Sequence, residues 1–213
     1  MIKKNILITG CAGFIGFHTS EYFIKKKIKV FGCDNLNDFY DVNLKKDRLK
    51  ILKKHVKNFR FYKIDLQNSK KLEKIIYNNK IKTVIHLAAQ AGVRDSINYP
   101  KKYFDNNVIV FFNILEICRK FNVDLIYASS SSVYGEKKPM VENNRVKPIQ
   151  FYAATKKTNE TMASVYSKLY NFNSIGLRFF TVYGPYGRPD MSYYKFSKKI
   201  FQNKKIDVYN NFK

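Results

Sequence analysis

Gly10-Cys11-Ala12-Gly13-Phe14-Ile15-Gly16, entered from Asn5-Ile6-Leu7-Ile8-Thr9, is the stretch that decides the fold. The apolar run before it predicts a buried strand over Asn5 to Thr9. The heptapeptide predicts a tight turn, and Phe14 to Lys27 an amphipathic helix. Strand, glycine turn and helix in that order are the context in which glycines at every third position carry meaning. Gly10 permits the turn, Gly13 lets backbone approach a pyrophosphate, and Gly16 lets the helix pack close to the strand. The amides opening the helix, at Phe14 and Ile15, offer the positive end of its dipole to phosphates. Asp34-Asn35 ends the next predicted strand, Lys29 to Cys33. A carboxylate there accepts hydrogen bonds from ribose hydroxyls and repels a 2′-phosphate, which selects NAD over NADP.

The rest of the chain repeats the alternation. Helix is expected over Asn43 to Val56, Ser69 to Asn79, Lys101 to Phe121 and Tyr152 to Tyr170. Strand is expected over Phe59 to Ile64, Thr83 to Leu87, Asp124 to Ala128 and Ser174 to Phe179. Strands alternating with helices imply an α/β, Rossmann-type, doubly wound parallel sheet with helices on both faces. Residues 135–150 and 184–190 read as loops, rich in Pro, Gly and polar side chains. Near the end, Phe196 to Ile206 reads as helix, and Ile206-Asp207-Val208-Tyr209 as one more strand. Asp65-Leu66 follows the third strand and is expected to meet an adenine or only to pack. Leu87-Ala88-Ala89-Gln90 follows the fourth and is expected to line the middle of the cofactor or, again, only to pack.

Composition bounds the function. The 213 residues suit one large domain, or a domain and the start of another, and 45% hydrophobic content supports a real core. No apolar run reaches membrane-spanning length, and no secretory leader is evident in Met1-Ile2-Lys3-Lys4 and the short apolar run after it. Cys11, Cys33 and Cys118 show neither metal nor disulfide spacing, so no metal is expected and a reducing cytoplasm fits. The net charge of +24 comes from lysines scattered over the polar faces of the predicted helices. Together with the abundant Asn, Ile and Tyr it reads as the codon usage of an AT-rich genome. No nucleic-acid motif accompanies it, and no nucleic-acid partner is expected.

Chemistry is carried by Tyr152-Ala153-Ala154-Thr155-Lys156 and the run Ser129-Ser130-Ser131-Ser132. A Tyr and a Lys four apart share one helix face. An ammonium beside a phenol favours the phenolate, so the tyrosine pKa is expected to fall toward working pH. A serine hydroxyl from a strand end can share the proton. The set suits removal of a proton from a sugar or alcohol hydroxyl while hydride leaves its carbon.

With these motifs in hand, the chain resembles the extended short-chain dehydrogenase/reductase superfamily, within it the NAD-dependent epimerases and dehydratases of sugar nucleotides. It is most similar to the branch of UDP-glucuronate 4-epimerases. The resemblance is carried by residues 10–18 (GCAGFIGFH), 34–41 (DNLNDFYD), 86–94 (HLAAQAGVR), 128–135 (ASSSSVYG), 152–157 (YAATKK) and 176–191 (GLRFFTVYGPYGRPDM). It implies that Tyr152, ionised beside Lys156, takes the proton of the sugar 4-hydroxyl, with Ser130 as proton partner. Hydride passes from C4 to NAD+ and returns to the other face of a 4-keto sugar. It implies that Ser129 and Ser131 donate to the substrate carboxylate, holding it out of alignment for loss of CO2. Lys156 also meets the nicotinamide ribose, Thr181 and Arg188 bind substrate, with Arg188 on the diphosphate, and Arg94 either faces the sugar or braces a loop. His86 is expected in the core behind the cofactor.

Several positions depart from the family pattern: Asp95 where Tyr is usual, Gln150 for Ser, Tyr186 for Trp and Val110 for Gly. Members of the family continue well beyond Lys213. The resemblance therefore implies a cofactor domain over residues 1–178, the start of a substrate region over 179–213, most of the small C-terminal lobe missing, and a homodimer when full length. A 4,6-dehydratase would need Asp-Glu where Ser131 and Ser132 stand. A decarboxylase acting on the same substrate, and a non-catalytic NAD-binding remnant, remain as alternatives.

Overall fold

The computed structural model describes residues 5–136 and 138–206. Six strands form one sheet: β1 (Asn5–Thr9), β2 (Lys29–Asp34), β3 (Phe59–Lys63), β4 (Thr83–His86), β5 (Asp124–Ser130) and β6 (Ser174–Phe179). Their order is β3-β2-β1-β4-β5-β6 and every pairing is parallel. The order reverses between β1 and β4, so a crevice opens where their carboxyl ends diverge.

The helices are α1 (Phe14–Lys25), α2 (Val42–Lys53), α3 (Ser69–Asn78), two single turns α4 (Asp95–Asn98) and α5 (Pro100–Tyr103), α6 (Val110–Phe121), α7 (Phe151–Tyr170) and α8 (Ser192–Phe201). The sheet is covered on both faces because its residues alternate. Ile6, Ile8, Val30 and Ile85 pack with Phe17 of α1 and Leu49 and Leu52 of α2. Leu7, Phe31, Val84 and Leu125 pack on the other face with Leu72 of α3, Phe111 and Ile114 of α6, and Ala163 of α7. Both faces of the central strands β1, β2 and β4 are apolar, as buried parallel strands require, while edge strand β6 leaves Ile175 and Leu177 exposed.

Helix ends shift by up to three residues from expectation, as where α2 closes at Lys53 rather than Val56, and three larger or site-forming differences stand out. The single helix expected over Lys101 to Phe121 opens with α5, passes through a π-helical turn at Phe104–Ile109, and only then becomes α6. The wide turn brings Asn107, 1% exposed, onto Gln90. Its amide accepts from Gln90 N (2.7 Å) and donates to Gln90 O (3.0 Å) and Thr155 Oγ1 (3.2 Å). Strand β5 runs two residues further than expected, carrying Ser129 and Ser130 into register with Arg178 and Phe179. Helix α8 begins four residues before Phe196 and ends at Phe201. The last expected strand falls at 207–209 outside the described residues.

Candidate active site

A cleft of about 440 Å³ follows the carboxyl ends of the strands. The glycine turn forms its floor. Gly10 has φ +69, and a methyl added there would lie 2.8 Å from Ala88 N. The turn is pinned to β2, with Gly10 N and Cys11 N both donating to Cys33 O. Gly13 caps α1 without any side-chain bond, so no side chain covers the amides that open the helix. Asp34 holds the turn's other side, its Oδ2 accepting from Ala12 N (3.1 Å) and its Oδ1 from Leu36 N (2.8 Å). Thr9 fixes the facing wall. Its Oγ1 accepts from Leu87 N and Ala88 N (3.1 Å each), so its one proton goes to His86 Nδ1 (2.8 Å). Burial, and then the charge of Lys156, push the His86 pKa down to about 3, so the ring is a neutral core group as expected.

Every expected site residue lines this cleft except Arg94. Gly10, Gly13, Phe14, Ile15 and Gly16 meet Asp34, Asn35, Asp65 and Leu66 at one end. Leu87 to Gln90 lie along the middle, and Ser129 to Ser131, Tyr152, Lys156, Thr181 and Arg188 at the other end. Arg94 stands exposed at the start of α4 and does not line the cleft.

Two expectations about the catalytic end need correction. Tyr152 does not have a lowered pKa: burial raises it, against the opposing pull of the Ser130 hydroxyl and the Arg188 charge. Lys156 Nζ lies 5.9 Å from the Tyr152 ring centre and donates to Ala128 O (2.9 Å). Its own pKa falls to about 8 because it is buried. For both groups loss of water is the largest cause. The second correction concerns Ser129, whose hydroxyl donates to Glu160 Oε1 (2.6 Å) and so is not free for a substrate carboxylate.

Four contributors went unread in the sequence. Glu160 follows Tyr152 and Lys156 at the same spacing of four, a signal that could have found it. It forms a forked pair with Arg178 of β6 (2.8 and 3.0 Å), locking α7 to the strand beside the serines. Ser96 accepts from Tyr152 N (3.1 Å) and caps α7, whose own N-cap Gln150 makes no side-chain bond. Nothing local marks that role. Asn107 is signalled weakly, as half of an Asn pair inside a helical pattern. Arg48 hides in a lysine-rich helix.

Residues 6–213 match the family described as NAD dependent epimerase/dehydratase family. The chain belongs to that family. It is 53% identical over 210 residues to protein CapI of Staphylococcus aureus, covering 97% of this chain and 62% of that protein. It is 46% identical over 208 residues to the UDP-glucuronate 4-epimerase of Thermodesulfobacterium geofontis, covering 96% of this chain and 64% of the relative. Among solved structures, it superposes with a TM-score of 0.91 and 34% identity on UDP-glucuronic acid 4-epimerase from Bacillus cereus in complex with UDP-glucuronic acid and NAD, covering 97% of this chain and 66% of that one. The chain thus spans a little under two thirds of the length of these relatives and about two thirds of that structure. Among the described residues no helix is long and apolar enough to cross a membrane, and no cluster of His, Cys, Asp and Glu suits a metal.

Proposed function

We propose that this family member serves NAD-dependent epimerisation at C4 of a UDP-hexuronic acid, interconverting UDP-glucuronate and UDP-galacturonate through a 4-keto sugar. The observation that carries the reading is one cleft joining a glycine-floored, carboxylate-ended half to Tyr152, Ser130, Lys156 and Arg188. The residues fit NAD. The cradle at Gly10 leaves no room for a side chain, the helix-start amides meet no capping side chain, and Asp34 suits a ribose diol. When bound, NAD+ supplies the hydride acceptor and donor. Tyr152 takes and returns the proton of the C4 hydroxyl, and Ser130 shares it. Lys156, held by Ala128 O, fixes the nicotinamide ribose and keeps positive charge near the phenol. Thr181 and Ser131 bind the sugar carboxylate side. Arg188 binds the diphosphate; its fork is held by Asp190, from Nε at 3.0 Å and from Nη2.

We assign residues 1–178 to cofactor binding and catalysis and 179–213 to the start of the substrate region. The similarity to relatives named UDP-glucuronate 4-epimerase supports the choice of sugar. A second copy as partner suits the exposed Phe112 on α6 and Tyr170 on α7, joined through the Tyr166 ring, and the exposed Val165 and Leu169 on α7.

The test is Tyr152→Phe in the protein extended to its relatives' length. Conversion of UDP-glucuronate to UDP-galacturonate should fall roughly 10²–10⁴-fold with the fold intact. A parental rate would remove Tyr152 from the reaction. A parent yielding only a UDP-pentose would replace epimerisation with decarboxylation.

A further inference from the structure

Arg48 sits on α2 inside a lysine-rich run, yet it is 0% exposed. Its guanidinium reaches three separate segments. Nη1 donates to Ala12 O (2.8 Å) in the glycine turn and to Tyr40 OH (2.6 Å) in the loop after β2. Nε and Nη2 both donate to Tyr186 O (3.2 and 2.6 Å), and Nη2 also reaches Gly187 O at 3.5 Å. None of the ion pairs among the described residues includes it. A buried cation without a counter-ion is costly, and only full hydrogen bonding offsets it.

The segment gripped at 186–187 is strained. Tyr186 has φ +57, a left-handed conformation that a bulky side chain disfavours, and Gly184 has φ +149. The segment is held down on α1 as well, where His18 Nε2 meets Pro185 O (2.9 Å) and the Phe17 ring meets Tyr186 at 5.5 Å. The next residue is Arg188. The same guanidinium therefore fixes the turn that floors one half of the cleft and the backbone that aims a cation into the other half. A planar fork with five donors can do this; an ammonium cannot.

We propose that Arg48 is a positioning residue coupling the dinucleotide turn to the segment that presents Arg188, so that occupation of the first rigidifies the second. This rests on the NAD reading above.

The test uses this chain with NAD+ as probe. Calorimetry gives affinity, and amide hydrogen exchange reports on residues 10–16 and 186–188. In the parent, NAD+ should slow exchange at both places. Arg48→Lys should bind NAD+ roughly tenfold more weakly, the scale of losing a hydrogen bond to a charged donor. In that variant NAD+ should slow exchange at 10–16 only. If Arg48→Lys does not fold, Arg48→Gln, which keeps a single NH2 donor without the charge, carries the same expectation. His18→Ala removes the bond to Pro185 O together with ring contacts to Phe14 and Phe17, breaks none of the Arg48 bonds, and should keep NAD+ affinity within about twofold. A merely structural role would lower the melting temperature and leave affinity and protection parental, which overturns the proposal. A parent that binds NAD+ without protection at 186–188 also overturns it and leaves the function standing. A parent that binds no NAD+ refutes the proposed function itself.

Discussion

Replacing Gly16 with alanine puts a methyl carbon 2.0 Å from the Gly10 carbonyl oxygen, 2.7 Å from its carbon and 3.0 Å from Cys11 Cα. Ordinary contact begins at 3.4 Å, so helix and turn must part by roughly 1.4 Å. Neither side can yield easily. The turn is tied to β2 through Cys33 O and to Arg48 through Ala12 O. The helix is fixed by Phe17 and Ile24, both in the core. Overpacking of this kind costs about 1–3 kcal/mol or more. For a chain of this size that is a fall in melting temperature of roughly 5–10 °C. NAD+ affinity should fall at least tenfold, since the moved backbone is the floor of the cleft.

Gly13→Ala is the control. Its methyl meets only Gly10 O, at 3.0 Å, and the residue has φ −71, which any side chain accepts. The melting temperature should stay within a few degrees while NAD+ affinity falls, because the methyl stands where the pyrophosphate approaches. Differential scanning fluorimetry and calorimetry on both variants decide the matter. A Gly16→Ala protein with parental melting and NAD+ affinity refutes the reasoning. So does a larger loss of stability from Gly13→Ala than from Gly16→Ala.

Asp34→Asn should narrow the preference for NAD+ over NADP+, measured by calorimetry; an unchanged ratio would remove Asp34 from the ribose. Burial holds the Lys156 pKa at about 8, below its unfolded value of 10.5, so the cost of burying its charge is fully present below pH 8 and fades as pH rises to 10.5. Relative to Lys156→Met, the parent should therefore gain on the order of 3 kcal/mol across that window in urea titrations. A difference independent of pH would contradict the buried ammonium. Burial and the Lys156 charge hold His86 neutral, with a pKa of about 3, while the unfolded chain takes up that proton below pH 6.5. His86→Gln should flatten the loss of stability by about 1.4 kcal/mol per pH unit between pH 6 and 4, and an unchanged acid slope would count against it. Ser131→Ala in the extended protein should release some UDP-pentose, whereas Ser129→Ala should mainly lower the melting temperature, since it removes one of the donors that Glu160 shares with Arg178. Product chromatography with the two results reversed would restore Ser129 to the carboxylate.

Periodicity and the glycine turn were enough to read these six strands and their parallel pairing, though not their order, because the central strands are apolar on both faces and helices alternate with them. The glycines, Asp34, Tyr152 and Lys156 were legible for a related reason: their roles depend on spacing within one element, which a sequence displays. What escaped depends on contacts across the fold. Glu160 is the intermediate case, on the legible face of α7 but given meaning only by Arg178 on β6. Ser129 looks like Ser131 in the sequence, and only the strand register separates them, turning one hydroxyl to Glu160. The Tyr152 error has the same origin. Adjacency of Tyr and Lys on a helix predicts attraction, but the sign of a pKa shift is set by how much water the rest of the fold removes. Here the removal is large enough to raise the phenol and to lower the ammonium together. Lys156 loses affinity for its proton for the same reason Tyr152 gains it. The pair therefore rests as a neutral phenol beside a lysine whose pKa burial has lowered to about 8.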